Sequence, residues 1–157
     1  MLRPLLALAA LAAAALPSPG VSRNLIPSDP YDARILAAYH CNKAVTEGDY
    51  SEGRLARCRS VYDATVAFER SAQAMRPAQR STIALAKGLS MMTVAAGYAK
   101  VDGKMTARAC EAVRAMDLAL TGYDPAAPNG LEDIYALVAK TRDAAVPKCR
   151  IGGHWPG

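Results

Sequence analysis

Residues 41–58 read CNKAVTEGDYSEGRLARC, from Cys41 to Cys58, and this stretch decides the fold. Its centre is Gly48-Asp49. Gly48 ends one helix, because glycine tolerates the left-handed backbone that a helix exit needs. Asp49 and Glu52 stand at the spacing of a reciprocal capping box and open the next. Apolar residues recur at helical steps on both sides, Ile35, Ala38 and Val45 before the turn and Leu55, Cys58 and Tyr62 after it. Cys41 precedes Gly48 by seven residues, and Cys58 follows Ser51 by seven. At 1.5 Å per helical residue each cysteine lies about 10 Å from the turn, so the sulfurs meet at one height on antiparallel neighbours. The stretch predicts a helical hairpin closed by a Cys41–Cys58 disulfide.

Working outward, the first helix is predicted from Pro30 to Glu47, with Asp29 as its cap and proline at the first helical position. The second runs to about Met75, where Arg76-Pro77 forces a break. A third covers Ala78 to Lys100 with Ile83, Ala86, Leu89, Met92 and Ala96 inward, and Val101 to Lys104 is a turn. The fourth spans Met105 to Thr121 on an Ala109, Cys110, Val113, Met116 and Leu120 face. After a loop from Tyr123 to Pro128, Asn129-x-x-Glu132 opens a fifth helix that Pro147 is expected to end. That helix returns beside the fourth, so Cys149 folds onto Cys110. No strand-like alternation occurs past residue 30. The expectation is an all-α, five-helix antiparallel bundle of two long hairpins plus a closing helix, stapled by two disulfides. It forms a single domain over residues 30–150, after a linker at 21–29 and before a flexible tail at 151–157.

The first 20 residues have the composition of an export signal. Arg3 precedes a run from Leu5 to Leu16 built only of Leu and Ala. Twelve helical residues reach roughly 18 Å, short of a hydrocarbon core of about 30 Å. Pro17 and Pro19 follow, and Ser18 and Gly20 are the small residues expected before cleavage at Val21, with Ala13 and Ala15 as a second candidate. Removal takes Arg3 away and leaves 18 basic against 14 acidic residues, a net charge of +4. Cys41, Cys58, Cys110 and Cys149 remain, an even count suited to an oxidising compartment, and a periplasmic or secreted destination is expected. The hydrophobic share of 52% excludes a disordered chain, and no stable membrane anchor is expected of the mature protein.

Two family resemblances follow from particular residues. Cys41-x-x-Ala44-x-x-x-Gly48-Asp49-Tyr50 resembles the middle of a tetratricopeptide hairpin, with small residues on the first helix and a Gly-Asp-Tyr-like turn. Gly53 and Arg57 depart from that pattern, and the next such turn, at Gly103, comes 55 residues later. The resemblance therefore implies only an antiparallel helical hairpin over residues 33–75. Ala145-Val146-Pro147-Lys148-Cys149 resembles the ending of the periplasmic immunity proteins that neutralise type VI secretion amidases. That likeness implies a small, exported, helical inhibitor.

The inventory for chemistry is short. The nucleophile-elbow, zincin, dinucleotide and phosphate-loop patterns do not occur, and neither does C-x-x-C. His40, adjacent to Cys41 on one helix, is expected to be buried or half-buried and structural, and His154-Trp155 to lie in the loose tail. Glu132 and Asp133 complement a helix N-terminus, as Lys140, Arg142, Lys148 and Arg150 do the far end of the same helix. Met92 and Met116 fall on core stripes, whereas Met91 points away and is the better candidate for an exposed groove. Arg54, Arg57, Arg59, Arg70, Arg76 and Arg80 read as a solvated basic face without interleaved aromatics, so no nucleic acid is expected. No catalytic, cofactor or metal residue is assigned. The expected role is a non-enzymatic protein-interaction or scaffold module, its partner and oligomeric state open. The alternative is an inhibitor or immunity protein against a cell-envelope enzyme, presenting the loop Tyr123 to Asn129.

Overall fold

A computed structural model describes residues 24–156. The expected signal segment, residues 21–23 and Gly157 lie outside the described residues. Asp29 accepts the backbone N–H groups of Tyr31 and Asp32, both at 2.9 Å, and with Pro30 behind it starts α1, Pro30–Thr46. Part of the expected linker belongs to the domain. Leu25 packs on the core, and the Ile26 N–H donates to the Asp32 carboxylate at 3.0 Å. At the far end Gly48 takes φ +107°. Its N–H donates to the Val45 carbonyl and that of Asp49 to the Ala44 carbonyl, so the last carbonyls of α1 are capped before the chain reverses.

The second helix, α2, is Glu52–Ser71. Its cap is Ser51, whose Oγ accepts the Arg54 N–H at 3.2 Å, and not Asp49 as expected. Asp49 is held one step earlier, by the Ser51 N–H and hydroxyl and the Arg54 guanidinium. The helix stops at Ser71, four residues before the expected Met75. The Ser71 hydroxyl donates to the Phe68 carbonyl, Ala72 is extended, and Arg76 is extended ahead of Pro77. The helix α3 then begins on Pro77 itself and runs to Asp102, where Gly103 at φ +68° ends it. It is followed by α4, Ala107–Leu120, and α5, Glu132–Ile151.

The course of α5 corrects the expectation that Pro147 ends it. Pro147 lies inside the helix, exposed. An interior proline costs about 3 kcal/mol through a lost hydrogen bond and a ring clash. Two constraints beyond it hold the last turn. Cys149 is joined to Cys110, and Gly153 at φ +70° closes the helix with its N–H on Arg150 and the His154 N–H on the Cys149 carbonyl. The same bonds correct the expected loose tail, because residues 152–154 form this cap and Trp155 packs partly buried against the core.

Among the described residues, four helices surround a fifth. The central one is α3, which packs against α1, α2, α4 and α5. From Ser81 to Ala99 only Lys87 and Ala96 are not buried. The expected inward stripe is too narrow, since α3 is covered on all sides and Ala96, one of its five members, is half-buried. Three features let neighbours come close. A methyl group on Gly97 would overlap Leu55 Cδ2 of α2, and one on Gly88 would lie 3.2 Å from Val138 of α5. Between α1 and α3, Asn42 Nδ2 donates to Thr93 Oγ1 at 2.8 Å. The disulfides Cys41–Cys58 and Cys110–Cys149 join α1 to α2 and α4 to α5, each with Cα atoms 5.6 Å apart. This is the pairing expected from the helix heights. Since Cys110 is early in α4 and Cys149 late in α5, α5 runs antiparallel to α4 and therefore parallel to α3.

Candidate functional site

The helix N-termini of α1, α3 and α5 gather at one end of the bundle, with the loop between α4 and α5 laid across it. That loop is anchored at both of its ends. The Asp124 N–H donates to Ser81 Oγ at 3.0 Å, and Asn129 Nδ2 donates to Thr82 Oγ1 at 3.2 Å. Ser81 and Thr82 belong to the first turns of α3, so the central helix sets the loop's position. Tyr123 stacks on Tyr135 of α5 with centroids 4.1 Å apart and planes 12° apart. Burial pushes the Tyr123 phenol upward. Asn129 Oδ1 accepts the Leu131 N–H, while Glu132 Oε1 accepts those of Asn129 and Gly130. The expected Asn129–Glu132 box is thus present in its glutamate half, and the asparagine caps one residue earlier. Glu132 is held below the ordinary carboxylate range by its own backbone N–H and by those of Gly130 and Asn129, with burial opposing. Between the anchors, Asp124, Pro125, Ala126 and Pro128 are exposed.

Beside this loop is an open depression of about 210 Å³ lined by Asp29, Tyr31, Arg76, Ala78, Gln79 and Thr82. Thr82 is shared between the depression and the loop anchor. The Arg76 N–H is taken by Gln79 Oε1 at 2.9 Å, and Arg76 makes no ion pair among the described residues. Chemically this end offers a cation, an amide, a phenol and a preformed exposed loop.

At the opposite end Arg108 of α4 ties three helices together. Its Nε and Nη2 donate to Asp102 of α3 at 2.9 and 2.5 Å, and its Nη1 donates to Glu52 of α2 at 2.8 Å. The guanidinium lies 4.3 Å from the centre of the Tyr98 ring. Arg108, then the Thr106 hydroxyl, hold the Asp102 carboxyl down to about 2. Arg59 of α2 pairs with Glu111 of α4 at 2.5 Å. A second depression of about 210 Å³, lined by Asp49, Ser51, Gly53, Arg54 and Arg57, lies at the start of α2. The Ser51 hydroxyl and Arg54 keep its Asp49 carboxyl at about 2.

Several expected residues fall elsewhere. His40 is exposed, edge-on to Tyr39, and not buried or half-buried, because the inward stripe of α1 is Ile35, Ala38, Cys41, Asn42 and Val45. Met91 is fully buried rather than lining a groove, since α3 has no outward side at that level. The basic face is dispersed. Arg54 and Arg59 are paired, Arg80 donates to the Met75 carbonyl at 2.8 Å, and Arg57 and Arg70 are exposed. Asp133 is exposed at the first turn of α5, and Arg142 bonds Asp143. Among the described residues no group of three or more His, Cys, Asp or Glu side chains is placed to hold a metal. Sequence reasoning missed Ser81-Thr82 as loop anchors and Arg108 as a tie. The only available signal was a pair of hydroxyl residues just inside a helix start, whose partners lie more than forty residues away. No protein-family model, curated protein or solved structure matches this chain.

Proposed function

We propose that this chain is an exported protein, periplasmic or secreted, that works without catalysis by binding another protein. One observation carries the reading. Two buried disulfides join adjacent helix pairs in a small bundle, the construction expected where thiols are oxidised. The leader-like segment at residues 1–20 points the same way. Cross-linked helix pairs give a stiff frame, and a stiff frame loses little conformational freedom on association. The export half is tested by N-terminal sequencing of the secreted chain, expected to start at Val21; a chain that retains Met1 counts against it. The binding half is tested by using the oxidised mature chain as bait on its own envelope fraction, with the reduced, unfolded chain as control. Specific recovery of one protein at near-stoichiometric level supports the reading, and equal recovery by both baits ends it.

A second reading, an inhibitor or immunity protein against a cell-envelope enzyme, is favoured by the loop anchored at Ser81 and Thr82. A loop fixed at both ends with Asp124, Pro125 and Ala126 exposed suits insertion into a cleft, as preorganised inhibitor loops do. Under this reading Pro125→Gly weakens binding and relieves inhibition of a wall hydrolase. Unchanged binding by that variant would return the loop to a structural connection.

A further inference from the structure

We propose that the end of the bundle opposite the anchored loop docks on the surface of an anionic lipid bilayer. At this end α3 and α5 finish side by side, since Ala99 and Met105 share a small apolar crevice with Ala145. Their last turns and the segments that follow carry Lys100, Val101, Lys104, Arg150 and Ile151. The described residues include four exposed large aliphatic side chains, and two of them are here: Val101 at 49% and Ile151 at 88% exposure. Trp155, half-buried, stands just beyond.

The carboxylates without an ion pair lie toward the loop end, where Arg70, Arg76 and Arg80 are also exposed without an ion pair among the described residues. Carboxylates near this end are occupied: Glu47 by Lys43, Asp49 by Arg54, Glu52 and Asp102 by Arg108, and Glu111 by Arg59. Lys100, Lys104 and Arg150 are exposed and make no ion pair among the described residues. Asp124 and Asp133, also without an ion pair there, lie at the other end. Helix dipoles account for cations in a last turn. They do not account for Ile151, left almost wholly in water between Arg150 and Gly152. Cations bordering bare aliphatic side chains match the boundary where headgroup phosphates meet hydrocarbon, as in interfacial protein segments. A nucleic acid would use the cations and leave Ile151 without a role. Each cation near an anionic membrane strengthens binding about fivefold, so a few of them with one shallow aliphatic insertion give reversible attachment. In this orientation the anchored loop faces away from the bilayer.

The test uses the disulfide-intact mature chain and vesicles of equal phosphatidylglycerol and phosphatidylcholine, against phosphatidylcholine alone. Co-sedimentation with the anionic vesicles is expected, weakening at high salt. The fluorescence of Trp155, the single tryptophan, should shift to the blue on binding. Lys104→Gln with Arg150→Gln should lower affinity about 25-fold, and Ile151→Ser about tenfold. Arg70→Gln with Lys140→Gln, the same loss of charge elsewhere, should leave binding unchanged. All these side chains are exposed, and circular dichroism of each oxidised variant checks that it is folded. Failure to bind anionic vesicles overturns the proposal. So does equal weakening by the control pair, which would reduce the effect to net charge. An Ile151→Ser variant that binds as tightly as the parent, with polyphosphate competing fully, would make the face a general polyanion site and also overturn it.

Discussion

A single missing methyl group sets the distance between α2 and α3. Gly97 sits on the central helix with Leu55 pressed against its bare Cα, and Leu55 has no solvent exposure into which to retreat. Gly97→Ala is therefore expected to destabilise the fold by about 1–3 kcal/mol through overpacking, despite alanine's better helix propensity. Leu55→Ala alone should cost about 2–5 kcal/mol through its cavity. The double variant should lose distinctly less than the two together, because the new methyl enters the space that Leu55 vacates. Urea unfolding of the oxidised proteins measures all three, and strict additivity would mean the contact is not what holds the glycine in place. The glycine itself was visible in the sequence as an unfavourable helix residue. Its partner was not, since nothing local to residue 97 points to residue 55. Met91 and His40 failed for the same reason, because which face of a helix is covered depends on neighbours distant in the chain.

At the scale of elements, the ties between helices carry the next expectations. Arg108 couples α2, α3 and α4 through Glu52, Asp102 and Tyr98. The Asp102 carboxyl is held at about 2 in the fold, below its ordinary 3.8. A carboxyl depressed in this way contributes stability above pH 4, and that contribution disappears as the pH falls toward 2. Arg108→Gln should lower stability at pH 7 and flatten the acid loss between pH 4 and 2, leaving the shares due to Asp49 and Glu132. Urea midpoints at pH 7, 4 and 2.5 decide it, and an unaltered acid slope would assign the loss to other groups. The disulfides come next. Replacing Cys41 and Cys58 by alanine should cost on the order of 3 kcal/mol, and Cys110 and Cys149 on the order of 4, because the second closes the longer loop. The second pair also holds α5 through Pro147, so its loss should fray the last turn, measurable as faster amide exchange after residue 147. For the loop, Ser81→Ala removes the acceptor of the Asp124 N–H and should make residues 123–129 the first site of limited proteolysis. An unchanged cleavage map would show that the Tyr123–Tyr135 stack and the Asn129–Thr82 bond hold the loop without Ser81. Helix number, order and disulfide pairing were legible because caps, glycines and cysteine spacing are local signals. Helix ends were less so, because Ser51, Ser71 and Pro147 act through bonds and cross-links that spacing does not display.

For the whole molecule, the decisive feature is a central helix wrapped by four others. Between Ser81 and Ala99 the sequence carries one charged residue, Lys87, and it is bound to Glu69 of α2 at 2.6 Å. A helix apolar on all sides is a buried helix, so the hub was written in the composition of this stretch, although a one-sided periodicity conceals it. Every outer helix rests on α3, and unfolding should be one cooperative transition seen alike by circular dichroism and by Trp155 fluorescence. The functional end was less legible, since the loop anchors at Ser81 and Thr82 arise only when the described helices share one frame. The burial of the cross-links has a last consequence. Cys58, Cys110 and Cys149 have no solvent exposure and Cys41 almost none, so a small thiol reagent in solution must wait for the helices to part. With reagent in excess, the half-life of each bond becomes a stopwatch: one runs on the breathing of α1 against α2, the other on that of α4 against α5.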